Sequence, residues 1–255
     1  MDIEKIKSRL KEFSNKYKFI YFIALLNLSI FSYAASNEQF LLNYPNLEDS
    51  DGEVILENEH VIIQKLIVGP GEWEGIHSHP GNQIYVHIKG GFWSGRLGGE
   101  IEYEREFYED GSVGWVDAIP IEAGHESGNS GDEPIELIYL TLKGDKPIFP
   151  EADREPQIYP NIPLQLILEN ERLIVQRGKA KPGEWEGIHS HSGGQIYIYI
   201  KGGMSSERRG GVLYPGTEVT KTGTVGWMDE IALDVGHESG NTGDSIIDLI
   251  WVTLK

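Results

Sequence analysis

Two copies of one sequence make up most of this chain. The nine residues GEWEGIHSH occur at 71–79 and again 112 residues later, at 183–191, without a single change. The same offset aligns residues 57–91 with 169–203 and residues 111–143 with 223–255. A repeat of about 100 residues is too long for a solenoid unit, whose period is roughly 20–50 residues. Each copy is therefore predicted to be a domain.

The apolar segments within each copy are short and rich in β-branched and aromatic residues. In the first copy they are residues 61–68, 83–89, 113–117 and 136–142. Gly, Asn, Pro and Ser clusters separate them, and beyond residue 34 no amphipathic helical pattern is longer than two turns. Many short strands with regularly spaced turns are typical of an all-β sandwich or closed barrel.

Residues 1–34 differ from the repeats. A basic segment is followed by an apolar run at 19–31 and by the small-residue ending SYAAS. This order is typical of a secretory signal peptide, so cleavage is predicted after Ala34, with a periplasmic or secreted mature protein. An uncleaved anchor is the alternative, but a run of 13 residues is shorter than the ~20 that cross a membrane. No stable membrane insertion is expected after processing.

The predicted organisation has four parts. They are a signal peptide (1–34), an N-terminal domain (35–143), a linker (144–163) and a C-terminal domain (164–255). The linker segment is rich in proline and has no periodic apolar face, which is typical of a connection between domains.

The charge of the chain restricts its partners. The net charge is −18, and removal of residues 1–34, with six Lys or Arg and three Asp or Glu, lowers it to −21. Such a surface repels nucleic acid and anionic membranes, so a small-molecule substrate is the expected partner. The chain has no cysteine, so any metal must be held by nitrogen and oxygen ligands. The sequence is compatible with a homo-oligomer.

Six of the eight histidines lie at equivalent positions of the two copies. On a strand, His77 and His79 would leave the same face, because side chains alternate with a period of two. Gln83 opens the next predicted strand, and His125 follows His79 by 46 residues. The second copy repeats this set as His189, His191, Gln195 and His237. Three imidazoles and an amide oxygen that converge inside a barrel suit one divalent transition metal per copy.

These motifs resemble those of the cupin superfamily, and the double copy resembles a bicupin. The first cupin motif, G-x5-H-x-H-x3-E-x6-G, matches at the positions of Gly71, His77, His79 and Gly90, and again in the second copy. The second motif matches Gly114, Pro120, His125 and Asn129, and less completely Gly226, His237 and Asn241. The resemblance implies two tandem barrels of the double-stranded β-helix, or jelly-roll, type.

The chain departs from the cupin pattern at the motif glutamate, which is Gln83 in one copy and Gln195 in the other. Either glutamine could be a fourth ligand, in which case the loss of a negative charge lowers metal affinity and makes a bound water more acidic. Alternatively, the glutamine does not touch the metal and hydrogen-bonds to a water or substrate. His87 shares the face of Gln83 but is replaced by Tyr199 in the second copy, which makes His87 a candidate acid or base in one site only.

The resemblance implies several functions, because cupins include oxygenases, lyases, isomerases and binding proteins. The first hypothesis is an exported metal-dependent enzyme, of dioxygenase or redox-neutral lyase or isomerase type, acting on a small oxygenated organic substrate. The alternative is a non-catalytic bicupin that binds a small molecule or sugar. The sequence does not distinguish Fe, Mn, Ni and Zn as the metal of each domain.

Overall fold

The computed structural model describes residues 38–48, 52–149 and 154–255. The predicted signal peptide, residues 1–34, lies outside the described residues. The chain divides into two compact units, Met1–Leu41 and Leu42–Lys255. In the described part of the first unit, a 3₁₀ turn covers Glu38–Phe40. In the part of the chain that the structure describes, no helix has the length and apolarity of a membrane-spanning segment.

The second unit is built from strands, joined by two 3₁₀ turns at Ile121–Ala123 and Leu233–Val235. The strands of the first repeat are β1 (Glu53–Glu57), β2 (Val61–Val68), β3 (Gln83–Lys89), β4 (Gly91–Leu97), β5 (Glu100–Tyr108), β6 (Val113–Val116), β7 (Glu126–Asn129) and β8 (Ile135–Leu142). Those of the second are β9 (Leu164–Glu169), β10 (Leu173–Ala180), β11 (His191–Lys201), β12 (Ser205–Arg209), β13 (Val212–Tyr214), β14 (Val225–Ile231), β15 (Glu238–Asn241) and β16 (Ile247–Leu254).

Each repeat forms a barrel from one five-stranded and one three-stranded sheet. The orders are β1-β2-β8-β3-β6 and β5-β4-β7 in the first repeat, and β9-β10-β16-β11-β14 and β13-β12-β15 in the second. All strand pairs are antiparallel, for example β2 with β8 and β10 with β16. The predicted all-β fold with two tandem barrels is therefore confirmed.

The alternation of side chains on β3 separates the site from the main hydrophobic core. Ile84, Val86 and Ile88 are buried in a core cluster that also contains Ile196 and Ile198 of β11. The two five-stranded sheets thus pack against each other through their apolar faces, where each large apolar side chain stabilises the fold by about 1.5–3 kcal/mol. The opposite faces are left to line the two barrel interiors.

A short arm precedes each barrel, and both arms contain the sequence Tyr-Pro-Asn. The two copies, 44–46 and 159–161, are 115 residues apart, so the offset of 112 does not align them. The Gln64 side chain holds the first arm by pairing with the N–H and C=O of Leu42 at 2.9 and 3.1 Å. Gln176 pairs in the same way with Gln157. The end of the predicted linker thus packs on the C-terminal barrel as the counterpart of the first arm.

Candidate metal centres

The structure brings both predicted histidine triads together. Backbone pairing places His77 opposite His125, with the N–H of His77 donating to the carbonyl of His125 at 3.0 Å. The ligand atoms of His77, His79 and His125 lie within 4.8 Å of one another. The same holds in the second barrel for His189, His191 and His237. Each triad could therefore hold one metal ion.

The hydrogen bonds of the paired histidines define their tautomers. Nδ1 of His77 lies 2.9 Å from the carbonyl oxygen of Gly75, and Nδ1 of His79 lies 3.0 Å from Oε1 of Gln83. Both partners are acceptors, so each Nδ1 carries the proton and each Nε2 presents a lone pair. The two Nε2 atoms face each other at 3.0 Å. Facing lone pairs at this distance need a positive charge between them.

These histidines suit a divalent transition metal. Ligands bound at 2.0–2.1 Å and at right angles around one ion lie about 3 Å apart, which agrees with the Nε2–Nε2 distance. Burial lowers the pKa of His77 to about 4, and burial together with the neighbouring His77 lowers that of His79 to about 3. Burial also lowers the pKa of His191 to about 4. These three imidazoles are therefore neutral at pH 7, as a metal ligand must be.

Gln83 fixes the orientation of His79 through a hydrogen bond to Nδ1 of its ring. Its amide oxygen accepts the Nδ1 proton of His79, and its amide nitrogen donates to Oγ1 of Thr141 at 2.6 Å. Gln195 makes the equivalent bonds to His191 and Thr253, both at 2.9 Å. In this arrangement the glutamine orients a ligand, and direct ligation by its oxygen would require the bond to histidine to break. The structure thus pairs each glutamine with a histidine and a threonine, and direct ligation of a metal by Gln83 or Gln195 stays a prediction.

The third histidine is held differently in the two barrels. Nδ1 of His237 lies 2.7 Å from a carboxylate oxygen of Glu207 on β12. The N-terminal barrel has Gly95 at the equivalent position, and a Cβ there would collide with the Tyr103 ring. Nε2 of His125 instead lies 3.5 Å from Oγ of Ser127. A carboxylate that accepts from a ligating histidine raises its basicity, so only the C-terminal centre has this support.

Sequence reasoning missed a glutamate beside each triad, fully buried at Glu74 and half-buried at Glu186. The Glu74 side chain is fully buried, and its Oε2 lies 3.7 Å from Nε2 of His77. Glu186 has the equivalent position, 3.8 Å from Nε2 of His189. Burial raises the pKa of Glu74 well above its ordinary value and that of Glu186 to about 8. The signal available in the sequence was the repetition of both glutamates of GEWEG in the two copies.

The two triads lie beside cavities of different size. The N-terminal cavity has a volume of about 100 Å³ and the C-terminal cavity about 220 Å³. Trp93 and Tyr108 line the smaller one, whereas the equivalent residues of the second copy are Ser205 and Thr220. The absence of these aromatic rings is one reason why the C-terminal cavity is larger.

His87 lines the N-terminal cavity together with His79 and His125. Its ring stacks on Tyr108, with centroids 4.9 Å apart, and its Nδ1 is buried without a hydrogen-bond partner. Burial lowers the pKa of His87 to about 4, so the ring is neutral at pH 7. It could accept a proton there, and its catalytic role stays a prediction.

Trp73 packs away from the cavity. The guanidinium of Arg96 lies 3.9 Å from its ring centroid, and a Cβ on Gly128 would collide with the ring. Arg96 also pairs with Glu126 at 2.9 Å. The cluster is repeated by Trp185, Arg208 and Glu238. These residues therefore stabilise the three-stranded sheets.

No protein-family model matches the chain, and no curated protein matches it. Solved structures do match, at low identity. A cupin 2 conserved barrel domain protein from Leptotrichia buccalis is 13% identical, with a TM-score of 0.47 over 80% of this chain and 88% of that one. The salicylate 1,2-dioxygenase from Pseudaminobacter salicylatoxidans is 11% identical, with a TM-score of 0.46 over 82% and 73%. The protein YhaK from Escherichia coli is 12% identical, with a TM-score of 0.47 over 83% and 91%.

The sheets and the triads of the chain itself define its class. Two antiparallel barrels in tandem each enclose three histidines at the positions of the cupin motifs. The chain therefore has a bicupin fold with two candidate metal centres, and the resemblance inferred from its motifs is confirmed.

Proposed function

We propose that the chain is an exported bicupin enzyme that uses a divalent transition metal to act on a small oxygenated organic molecule. The observation that carries the proposal is the pair of unprotonated Nε2 atoms in each barrel, 3.0 Å apart beside a third histidine. Fe, Mn, Ni and Zn all accept imidazole ligands. When bound, the metal would polarise a substrate oxygen or activate dioxygen.

The C-terminal barrel is the proposed reaction site. Its cavity of about 220 Å³ contacts His191 and His237 directly. Pockets for drug-sized ligands have volumes of roughly 300–1,000 Å³, so the substrate of this cavity would be smaller than such ligands. Trp251 and Tyr197 provide an aromatic wall, which suits an organic molecule with an apolar portion.

Two side chains of this cavity have roles that follow from their surroundings. Glu207 accepts a hydrogen bond from Nδ1 of His237, which fixes the orientation of the ring and makes its Nε2 atom a stronger donor to a metal. Burial raises the pKa of Tyr199, so its hydroxyl stays protonated at neutral pH. Tyr199 would donate a hydrogen bond to a substrate oxygen and help to orient it.

The N-terminal barrel favours the second candidate function. Its cavity of about 100 Å³ is narrowed by aromatic rings, which leaves room for only a few atoms beyond the metal position. A binding role without turnover therefore suits this barrel better than the other one. If the barrel is catalytic, His87 is the proposed base.

The test combines ligand binding with turnover. The mature protein is loaded separately with Fe, Mn, Ni or Zn, and azide or catechol is added to detect open coordination positions spectroscopically. Small hydroxy acids, diols and hydroxylated aromatic acids are then screened by NMR with a dioxygen electrode. Conversion with dioxygen uptake indicates an oxygenase, and conversion without it indicates a lyase or isomerase.

A matched pair of substitutions tests which barrel reacts. Ser205→Trp introduces the N-terminal residue into the C-terminal cavity and should abolish turnover while the metal content stays unchanged. Trp93→Ser enlarges the other cavity and should leave turnover intact. Binding of azide or catechol without conversion of any substrate would favour the binding protein, and a wild type that retains no metal would contradict the proposal.

A further inference from the structure

Glu74 is a buried carboxylate to which the fold offers only a weak interaction with the backbone N–H of Ser127. Its side chain has no exposed surface, and neither of its oxygens makes a hydrogen bond of normal geometry. A buried carboxylate in this state is strongly unfavourable unless a cation or several donors accompany it. Nε2 of His77, at 3.7 Å, cannot act as the donor because its proton is on Nδ1.

The backbone directs Glu74 toward the triad. Its N–H donates to the carbonyl of Ser127 at 2.8 Å, and its carbonyl accepts from the N–H of Asn46 at 3.1 Å. Gly75 follows it with a φ of +82°, in a region that favours glycine. This residue interrupts the strand alternation, which would otherwise place positions 74 and 77 on opposite faces. Glu74 and His77 therefore share the inward face.

In the second barrel, Glu186 is placed beside its histidine triad in the same way. The N–H of Glu186 donates to the carbonyl of Ser239 at 2.9 Å, and Gly187 has φ of +81°. Oε2 of Glu186 lies 3.8 Å from Nε2 of His189, and the residue lines the cavity that also contacts His191 and His237. Its one hydrogen bond is long, at 3.3 Å from the N–H of Ser239.

The distance from each glutamate to the first histidine of its triad suits a shared cation. Ligand atoms bound to one ion at 2.0–2.2 Å lie between about 3 and 4.2 Å apart, depending on the angle between them. The oxygen–nitrogen distances of 3.7 and 3.8 Å fall within this range. An ion at this position would satisfy the facing lone pairs of the histidines and neutralise the carboxylate at the same time.

We infer that Glu74 and Glu186 are the carboxylate ligands of the two metal centres. Each centre then has three histidines and one carboxylate, although the glutamate of the cupin motif is replaced by glutamine. Gln83 and Gln195 are then not ligands, because the side-chain oxygen of each accepts a hydrogen bond from a histidine of its triad. The inference rests on the proposed metal-dependent function, since it assigns ligands to the same centres.

The chain contains a matched control two residues earlier in each copy. Glu72 and Glu184 belong to the same GEWEG motif, but their carboxylates accept from the N–H groups of Gly69 and Lys181 at the exposed turn, both at 2.7 Å. Glu72→Gln and Glu184→Gln therefore remove the same charge from the same segment without touching the triads.

The experiment measures Zn²⁺ and Co²⁺ affinity of the mature protein by chelator competition, with a melting curve for each variant. Glu74→Gln should lower affinity at least tenfold in the N-terminal centre alone, and Glu186→Gln should do so in the C-terminal centre alone. Both should change the visible spectrum of bound Co²⁺. The control variants should bind as the wild type does.

Unchanged affinity and an unchanged Co²⁺ spectrum in Glu74→Gln and Glu186→Gln would overturn the inference, as would an equal loss in the controls. An infrared carboxylate band that shifts when metal is added to the wild type supports it without any variant, and a band that does not shift contradicts it. A wild type that binds no metal refutes the proposed function itself. A wild type that binds two ions while the variants bind equally well refutes only the ligand assignment.

Discussion

Nε2 of His189 lies 3.0 Å from Nε2 of His191, and neither atom carries a proton, because each ring donates through Nδ1. The fold thus holds two lone pairs against each other in a buried position. A cation between them turns this repulsion into attraction, so metal binding should be coupled to stability. The N-terminal barrel has the same arrangement.

Two metal ions should bind to each mature chain. His77→Ala and His189→Ala should each remove about one equivalent, because loss of one strong ligand weakens binding by well over tenfold. Elemental analysis of wild type and both variants checks this. Saturating metal should also raise the melting temperature of the wild type. Loss of both ions from one substitution would contradict independent centres.

The glutamines should control affinity through the histidine that they hold. Gln83→Leu removes the acceptor of the His79 proton and should weaken metal binding in the N-terminal centre about 10–100-fold. Gln83→Glu replaces it with a stronger acceptor and should tighten binding. Chelator competition measures both, and the C-terminal centre serves as the internal control. Equal metal affinities of the wild type, Gln83→Leu and Gln83→Glu would show that the glutamine does not influence the metal centre.

The C-terminal centre should depend on Glu207. Glu207→Gln keeps an acceptor for Nδ1 of His237 but removes its charge, so affinity in that centre should fall about tenfold. The N-terminal centre has Gly95 at this position and should be unaffected. Site-resolved metal titration checks the prediction, and a similar loss in both barrels would contradict it.

The stability of the metal-free protein should fall as the pH rises from about 7.5 to about 9. In the folded protein the pKa of Glu186 is raised by burial to about 8, whereas in the unfolded chain it is about 4.3. Unfolding in this window therefore releases a proton, and stability decreases with pH. Histidines oppose this trend below about pH 7.5, because the imidazoles of the unfolded chain, with pKa values near 6.5, still bind protons there.

Below pH 6.5 the histidines give the opposite trend. Their pKa values are lowered in the folded protein, so the unfolded chain binds more protons and stability falls with falling pH. Urea unfolding from about pH 5 to about pH 9 checks both trends. The double variant Glu74→Gln, Glu186→Gln should remove only the loss of stability at high pH, whereas Glu184→Gln should retain that loss.

The precursor should be cleaved near Ala34. N-terminal sequencing of protein from the native host checks the site, and fractionation checks that the mature protein lies outside the cytoplasm without a membrane anchor. An intact Met1 in a membrane fraction would indicate an anchor instead.

Local sequence patterns were sufficient to predict the strands and the two histidine triads. The predicted strands 61–68 and 83–89 have the same bounds as β2 and β3, because alternation and β-branched composition act over a few residues. The repeated spacing of His77, His79 and His125 was sufficient to predict that they meet, since the internal duplication supplied two examples of one pattern.

Only the tertiary structure decided what surrounds the triads. The inward direction of Glu74 depends on the positive φ of Gly75, which breaks the alternation on which sequence reasoning relies. The contact of Glu207 with His237 joins two paired strands separated by 30 residues, and no local pattern specifies such a pair. The sequence by itself thus determined which residues could bind a metal, whereas long-range packing decided which carboxylates and amides face them.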